Sequence, residues 1–120
     1  MAAPNIVNVA TITGKTVGLA VTISATAIVI NPAASGKVFK INSLIISNID
    51  GTTAADITAD VYKNQTTAFN LAKTIAVPAD ATLVIISKDT SIYLEENDSI
   101  RLTASANSDL EAVCSYEEIS

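Results

Sequence analysis

Two stretches decide the fold class: residues 37–48, KVFKINSLIISN, and residues 55–63, ADITADVYK. In the second stretch apolar and polar residues alternate, which places them on opposite faces of an extended strand. Both stretches contain several β-branched residues, whose stiff χ1 angle suits a pleated sheet better than a helix. Asp50-Gly51 between them is a turn sequence, so we expect two strands joined by a turn.

The first of these strands is apolar on both faces in its second half. Alternation predicts Phe39, Ile41 and Ile45 on one face, with Leu44 and Ile46 on the other. A strand with two apolar faces is either covered on both sides or turns one face to another molecule.

Short segments of the same kind continue in both directions, separated by turn residues. We expect strands at residues 6–9, 16–22, 25–30, 69–77, 83–86, 92–94, 100–104 and 110–116, with a turn at Gly14-Lys15. About eight to ten short strands at this spacing predict an all-β antiparallel sandwich, immunoglobulin-like or jelly-roll-like. Residues 1–120 should form one such domain, with residues 1–5 as an extended N-terminal arm.

The composition argues against catalysis. The chain has no histidine, so Ser-His-Asp and Cys-His arrangements cannot be built. Glu95, Glu96 and Asp98 are the candidates for a pair of glycosidase carboxylates, but a run of charges between two strands is better interpreted as a solvated turn. Ser87-Lys88 is not a dyad, because adjacent residues of a strand point to opposite faces. We therefore expect no enzyme activity.

No metal or cofactor motif is present in the sequence. Asp50, Asp56 and Asp60 are the candidate calcium ligands, yet they lack the spacing of a calcium-binding loop. The single cysteine, Cys114, lies in an alternating apolar segment and is interpreted as a core residue. We expect no bound metal and no cofactor.

The net charge of −5 limits the class of partner. Residues 1–60 are balanced, whereas residues 61–120 carry four basic residues against nine acidic ones. Nucleic-acid binding requires a cationic surface, so we expect no nucleic-acid partner. Residues 19–30 are too short and too polar to cross a membrane, so we expect no membrane partner. MAAPNIVNVA, at the N-terminus, has no signal-peptide pattern, which predicts synthesis in a cytoplasm.

The two ends of the chain and the doubly apolar strand supply candidate interface residues. The first residues are small and uncharged, which suits an extended arm, and an isoleucine next to the last residue must be buried somewhere. It either pairs within the sheet or docks on a neighbouring molecule. The candidates for a partner interface are Pro4, Asn5, Ile6, Leu44, Ile46, Tyr116 and Ile119.

Residues 37–64, KVFKINSLIISNIDGTTAADITADVYKN, and residues 71–120, which end in SIRLTASANSDLEAVCSYEEIS, resemble segments of small virion proteins of marine tailed phages, especially cyanophages. The shared pattern is a strand–turn–strand unit, a Pro-Ala turn, an apolar strand, an acidic turn and a closing Ser-Tyr-Glu-Glu-Ile strand. It carries no catalytic signature, so no functional residue is transferred from it.

The resemblance implies a virion structural protein, made in the host cytoplasm and located in the virion. The first expectation is a capsid decoration (cement) protein that binds the phage major capsid protein and itself, with a trimer favoured. The alternatives are a neck, collar, tail or fibre-attachment protein that binds other virion proteins and, more remotely, a carbohydrate- or receptor-binding sandwich. The absence of tryptophan argues against the last alternative.

Overall fold

A computed structural model describes residues 11–120 and contains nine strands in that range. They are β1 (Ile12–Ala20), β2 (Thr26–Ile30), β3 (Val38–Asn48), β4 (Ala55–Lys63), β5 (Thr67–Val77), β6 (Thr82–Ile86), β7 (Ile92–Leu94), β8 (Ser99–Ala104) and β9 (Leu110–Ile119). A 3-10 turn, Lys88–Thr90, lies between β6 and β7. Within residues 11–120, no helix has the length and apolarity needed to cross a membrane.

The strands form two antiparallel sheets. Sheet A has the order β1-β9-β3-β6, and β7 also pairs with β3 beside β6. Sheet B has the order β2-β8-β4-β5. The chain passes repeatedly between the two sheets, as in a jelly roll, so each sheet contains strands from both halves of the sequence. The predicted all-β sandwich is confirmed.

The core lies between the two inner faces. Its largest fully buried side chains are aliphatic, because β-branched and leucine side chains fill the space between twisted sheets without polar atoms. They include Ile41, Leu44, Ile46, Ile57, Ile86, Leu94, Ile100 and Leu102. Cys114 is buried among them, as expected from the alternation of β9.

The predicted facing of β3 was wrong in its second half. The pairing of β3 with β9 shifts between Ile41 and Ser43. This bulge inserts one extra residue and reverses the alternation beyond it. Ile41, Leu44 and Ile46 therefore all face the core, whereas Ile45 faces outward with its paired residues Val84 and Val113.

The predicted turn at Gly14-Lys15 was also wrong. Both residues lie inside β1, which pairs with β9 without a register shift from Ile12 to Ala20. A partner strand is available at every position, and this pairing outweighs the local turn preference of the sequence. The expected strand at residues 6–9 and the expected arm at residues 1–5 lie outside the described residues.

Candidate association surface

The candidate interface residues separate into buried, partly buried and undescribed positions. Leu44 and Ile46 are fully buried in the core. Tyr116 also faces inward, where its ring stacks on Phe39 with centroids 5.4 Å apart. Ile119 is 6% exposed and pairs with Ile12 and Val38. Pro4, Asn5 and Ile6 lie outside the described residues.

The candidate catalytic acids between β7 and β8, Glu96 and Asp98, form contacts that hold loops together. Asp98 is buried, and its carboxylate accepts hydrogen bonds from the backbone N–H groups of Asn64 and Glu95. It also contacts Lys63 Nζ at 2.6 Å. Hydrogen bonding to Asp98 raises the pKa of Lys63 above its ordinary value, although partial burial opposes that shift. Glu96 accepts a hydrogen bond from the Gly36 N–H. These groups connect three loops at one end of the sandwich.

The other acidic candidates do not converge. Asp60 forms a two-bond ion pair with Arg101, whose guanidinium lies 3.7 Å from the centre of the Tyr62 ring. Asp50 accepts hydrogen bonds from its own turn at Thr52, which lower the pKa of the carboxyl group. In the described part of the chain, no three acidic or cysteine side chains gather closely enough to hold a metal ion.

The outer face of sheet A is the notable surface of the molecule; we call it the sheet A face. It consists of the outward residues of β1, β9, β3, β6 and β7, arranged in rows that run across the strands. The first row is Gly18, Val113, Ile45 and Val84; the second is Gly14, Glu117, Lys40 and Tyr93. Two further rows are Thr16, Ser115 and Ser43, and Ala20, Glu111, Ser47 and Thr82. The set is defined by pairing, because directly paired residues share a face. The next row along, Ile12, Ile119 and Val38, is left out because Ile119 and Val38 are buried.

The sheet A face is partly apolar and carries three charged residues, Lys40, Glu111 and Glu117. Val84 is 56% exposed and Val113 is 45% exposed, on either side of Ile45. The neighbouring rows consist mainly of small and hydroxyl residues, including Thr16 and Ser115, whose hydroxyl oxygens lie 3.2 Å apart. A face of β-branched and small side chains on an antiparallel sheet resembles the inner faces of sandwiches more than their solvated sides.

The surface of the sheet A face is recessed along its β1 edge. A shallow depression of about 280 Å³ is lined by Gly18 and Val113, together with neighbouring residues of β1 and β9. A Cβ atom placed on Gly18 would have the Ala112 carbonyl oxygen as its nearest neighbour, at 3.7 Å, and one placed on Gly14 would meet nothing within 4 Å. Both glycines therefore leave open space above the sheet, and neither is required by packing within the described chain.

The outer face of sheet B has a different chemistry. Asp60, Arg101 and Tyr62 occupy its centre, with Thr58 and Thr103 paired beside them. Arg101 and Tyr62 are still partly exposed, and further desolvation of a charged pair is costly, so this face is better suited to solvent. The two faces thus differ at their centres, which hold an ion pair on sheet B and the apolar row of Val113, Ile45 and Val84 on sheet A.

Strand β5 is an apolar edge that resists the addition of another strand. Phe69 is 62% exposed, and Ile75 is 43% exposed. The register between β4 and β5 shifts twice, and Lys73 lies within this irregular part. Bulges and a lysine on an edge strand are the usual protection against edge-to-edge pairing.

The end of the sandwich opposite the Lys63–Asp98 contact carries acidic groups without basic ones. The loops at that end are residues 21–25, 49–54, 78–81 and 105–109, which contain three aspartates and no basic residue. Like charges repel, so the approach of two copies through this end is disfavoured and sideways approach is favoured.

Sequence reasoning missed the sheet A face for an identifiable reason. The outward position of Ile45 depends on the bulge in β3. The alternation of residue types does not predict that bulge. Val113 did carry a signal, because it alternates with the buried residues Ala112 and Cys114. Val84 carried none, since it lies in a continuous apolar run.

Comparisons with known proteins give a fold likeness alone. No protein-family model and no curated protein matches the chain. A solved structure described as "Bacillus endospore appendages form a novel family of disulfide-linked pili" matches with a TM-score of 0.54 and 17% sequence identity. The match covers 92% of this chain and 88% of that chain. The chain is therefore similar in fold to a subunit of those appendages.

Proposed function

We propose that this chain is a structural protein that works by repeated association with copies of itself, without catalysing a reaction. The observation that carries the proposal is the sheet A face, in which Val113, Ile45 and Val84 form an outward-facing apolar row, with both valines exposed and small residues on either side. Apolar surface of this kind on a folded protein is commonly used for association. Two of the acidic candidates support the same proposal, because Asp98, considered as a catalytic acid, and Asp60, considered as a calcium ligand, are both engaged in bonds within the chain.

The first assembly to test is a phage head, with the chain as a decoration protein. The resemblance of residues 37–64 and 71–120 to phage virion proteins supports this proposal. An acidic surface without a basic patch suits a protein packed near a genome that it does not bind. A shell also presents many identical sites, so contacts that are individually weak are sufficient. A neck or tail location is the alternative within the same particle.

A second candidate is a subunit of a surface appendage, favoured by the likeness in fold to the spore-appendage protein. Those appendages are disulfide-linked pili. This chain has one cysteine, Cys114, which is buried, and burial raises the pKa of its thiol to about 12. In an appendage built from these 120 residues, Cys114 would therefore form no disulfide between subunits, and other contacts would hold the subunits together.

The test is the behaviour of the purified full chain together with its copy number in particles. We expect the chain to self-associate as its concentration rises, measured by sedimentation velocity. Mass-spectrometric counting then separates the assemblies, because a decoration protein is present in far more copies than a neck protein, whose number is set by one closed ring. Electron microscopy of the purified chain separates both from a filament. A chain that remains monomeric at every concentration would overturn the proposal, and so would one that turns over a small molecule.

A further inference from the structure

We propose that the sheet A face is the self-association surface and that two copies pack on it face to face, related by a twofold axis that runs along the strands between β9 and β3. The inference deepens the proposed function and rests on it. The occupant is a second copy because the residues of this face complement one another under that symmetry. A twofold interface requires this property, since each contact must occur twice with the roles exchanged.

The shape of the face is self-complementary. Rotation about an axis between β9 and β3 exchanges the outer strands of each row, so Gly18 of one copy lies opposite Val84 of the other. In the second row the same rotation places Gly14 opposite Tyr93. Each glycine leaves open space, and each residue facing it is exposed, with Val84 at 56% and Tyr93 at 46%. In each of these two rows, the large side chain of each copy therefore lies opposite the glycine of the other copy, which is the interdigitation expected between packed sheets.

The charges of the face are complementary under the same rotation. Lys40 and Glu117 are paired in register on β3 and β9, so the axis between them places Lys40 of one copy opposite Glu117 of the other. Among the described residues, Lys40 contacts no carboxylate within 4 Å, and Glu117 accepts a hydrogen bond from Asn42 instead. Both charges are therefore available for a partner. Their pairing across the interface would fix the rows in one register.

The area of the face indicates a weak interface. Four strands about 4.8 Å apart and four rows two residues apart span roughly 19 by 26 Å, or about 500 Å² per copy. The pair then buries about 1,000 Å² in total, close to the lower limit for a specific contact. An interface of this size is weak in a single dimer and becomes effective when an assembly repeats it. The expected trimer would need a different, heterologous contact.

Gly18→Val and Gly14→Val in the full chain test whether the shapes of the two copies fit together in this way. A Cβ atom at either position meets no obstacle within the protomer, and valine favours a strand more than glycine does, so the unfolding free energy should stay equal or rise. Each substitution fills the space that Val84 or Tyr93 of the second copy would occupy. The dissociation constant of the dimer, from sedimentation velocity, should rise about tenfold or more. The matched control is Thr103→Val on the outer face of sheet B, which also adds valine to an outward strand position and should leave dimerisation unchanged.

Mixing two charge-reversal variants tests whether Lys40 and Glu117 pair across the interface. Lys40→Glu gives a face with two acidic groups, and Glu117→Lys gives a face with two basic groups. Each variant alone should dimerise about tenfold more weakly, because like charges then meet across the axis. An equimolar mixture should recover the wild-type dissociation constant, since every charge then faces its opposite. A contact within one protomer cannot produce recovery on mixing.

The outcomes separate this inference from the proposed function. If the wild-type chain self-associates and all of these variants do so equally well, the interface lies elsewhere; the sheet A face is then overturned while a structural role stands. If the wild-type chain is monomeric at every concentration, both proposals are overturned. Loss of association in the glycine variants, together with recovery in the mixed charge variants, supports the inference.

Discussion

Asn48 reaches from one sheet to the other to bind the backbone of Val77. Its side-chain Nδ2 donates to the Val77 carbonyl oxygen at 2.9 Å and to the Thr53 carbonyl oxygen at 3.0 Å. Its Oδ1 accepts the Asp50 N–H at 2.9 Å. Asn48 ends β3 in sheet A and Val77 ends β5 in sheet B, so one amide closes the sandwich at this end.

Asn31 does the same at the opposite end. Its Nδ2 donates to the carbonyl oxygens of Lys37 and Leu94, and its Oδ1 accepts from the Ser35 hydroxyl. Asn31 follows β2 in sheet B, whereas Leu94 ends β7 in sheet A. Both amides are buried, and buried polar groups stabilise a fold only when their hydrogen bonds are made.

We predict that Asn48→Ala and Asn31→Ala each lower the unfolding free energy by about 2–3 kcal/mol, because each leaves buried backbone groups without partners. Denaturant unfolding measures the loss. Asn42→Ala is the matched control, since the Asn42 side chain bonds a half-buried carboxylate, and it should cost about 1 kcal/mol or less. Equal losses at all three positions would contradict the special role of the two buried amides.

We predict that Thr74→Gly raises the unfolding free energy by about 1 kcal/mol, because the threonine has a φ of 46°, where its β-branched side chain is strained. The hydrogen bond from the Thr74 N–H to Thr58 Oγ1 does not depend on the side chain of Thr74 and is retained. Thr13→Gly in β1 is the control and should lower the free energy by about 0.5–1 kcal/mol, since Thr13 has no positive φ. The proposed strain would be disproved if both substitutions were destabilising.

We predict that acid destabilises the protein partly through Glu118, whose carboxylate lies 3.0 Å from Lys15 Nζ and 3.1 Å from Lys37 Nζ. Burial alone would raise the pKa of Glu118, but the two lysines together hold it below its ordinary value of 4.5. A lowered pKa contributes stability that is present above pH 4.5 and is lost as the pH falls through the folded-state value. Glu118→Gln should therefore show a smaller decline in melting temperature between about pH 6 and about pH 3. Glu111→Gln, on an exposed residue, should leave that decline unchanged.

We predict that the Cys114 thiol is inert in the folded protein. Burial raises its pKa to about 12, so almost no thiolate forms near neutral pH, and the sulfur has no access to solvent. Iodoacetamide should leave the native chain unmodified over a time in which it fully alkylates the chain in denaturant, as measured by intact mass. Rapid alkylation of the native protein would show that β9 opens readily.

Sequence reasoning was most successful where one strand face is buried without interruption. The alternation of Ile57, Ala59 and Val61 in β4 and of Leu110, Ala112 and Cys114 in β9 indicated the inward faces directly. It was least successful at bulges, because a residue is extra only in relation to the partner strand, and the partner strand is distant in the sequence. The same limit applies to Gly14-Lys15, where β9 holds a turn-forming pair in an extended strand.

The amino-acid sequence by itself determined that this protein is a β-sandwich without histidine chemistry, because side-chain alternation and composition are local properties. Only the tertiary structure decided which residues form the sheet A face, since Gly18, Val113, Ile45 and Val84 come from four strands that are distant in sequence. Their meeting in one row depends on strand order and on the register shift in β3. Two distant strands adopt the pairing register that buries the most apolar surface in the core. That register depends on both strands, so the sequence of one segment does not reveal it.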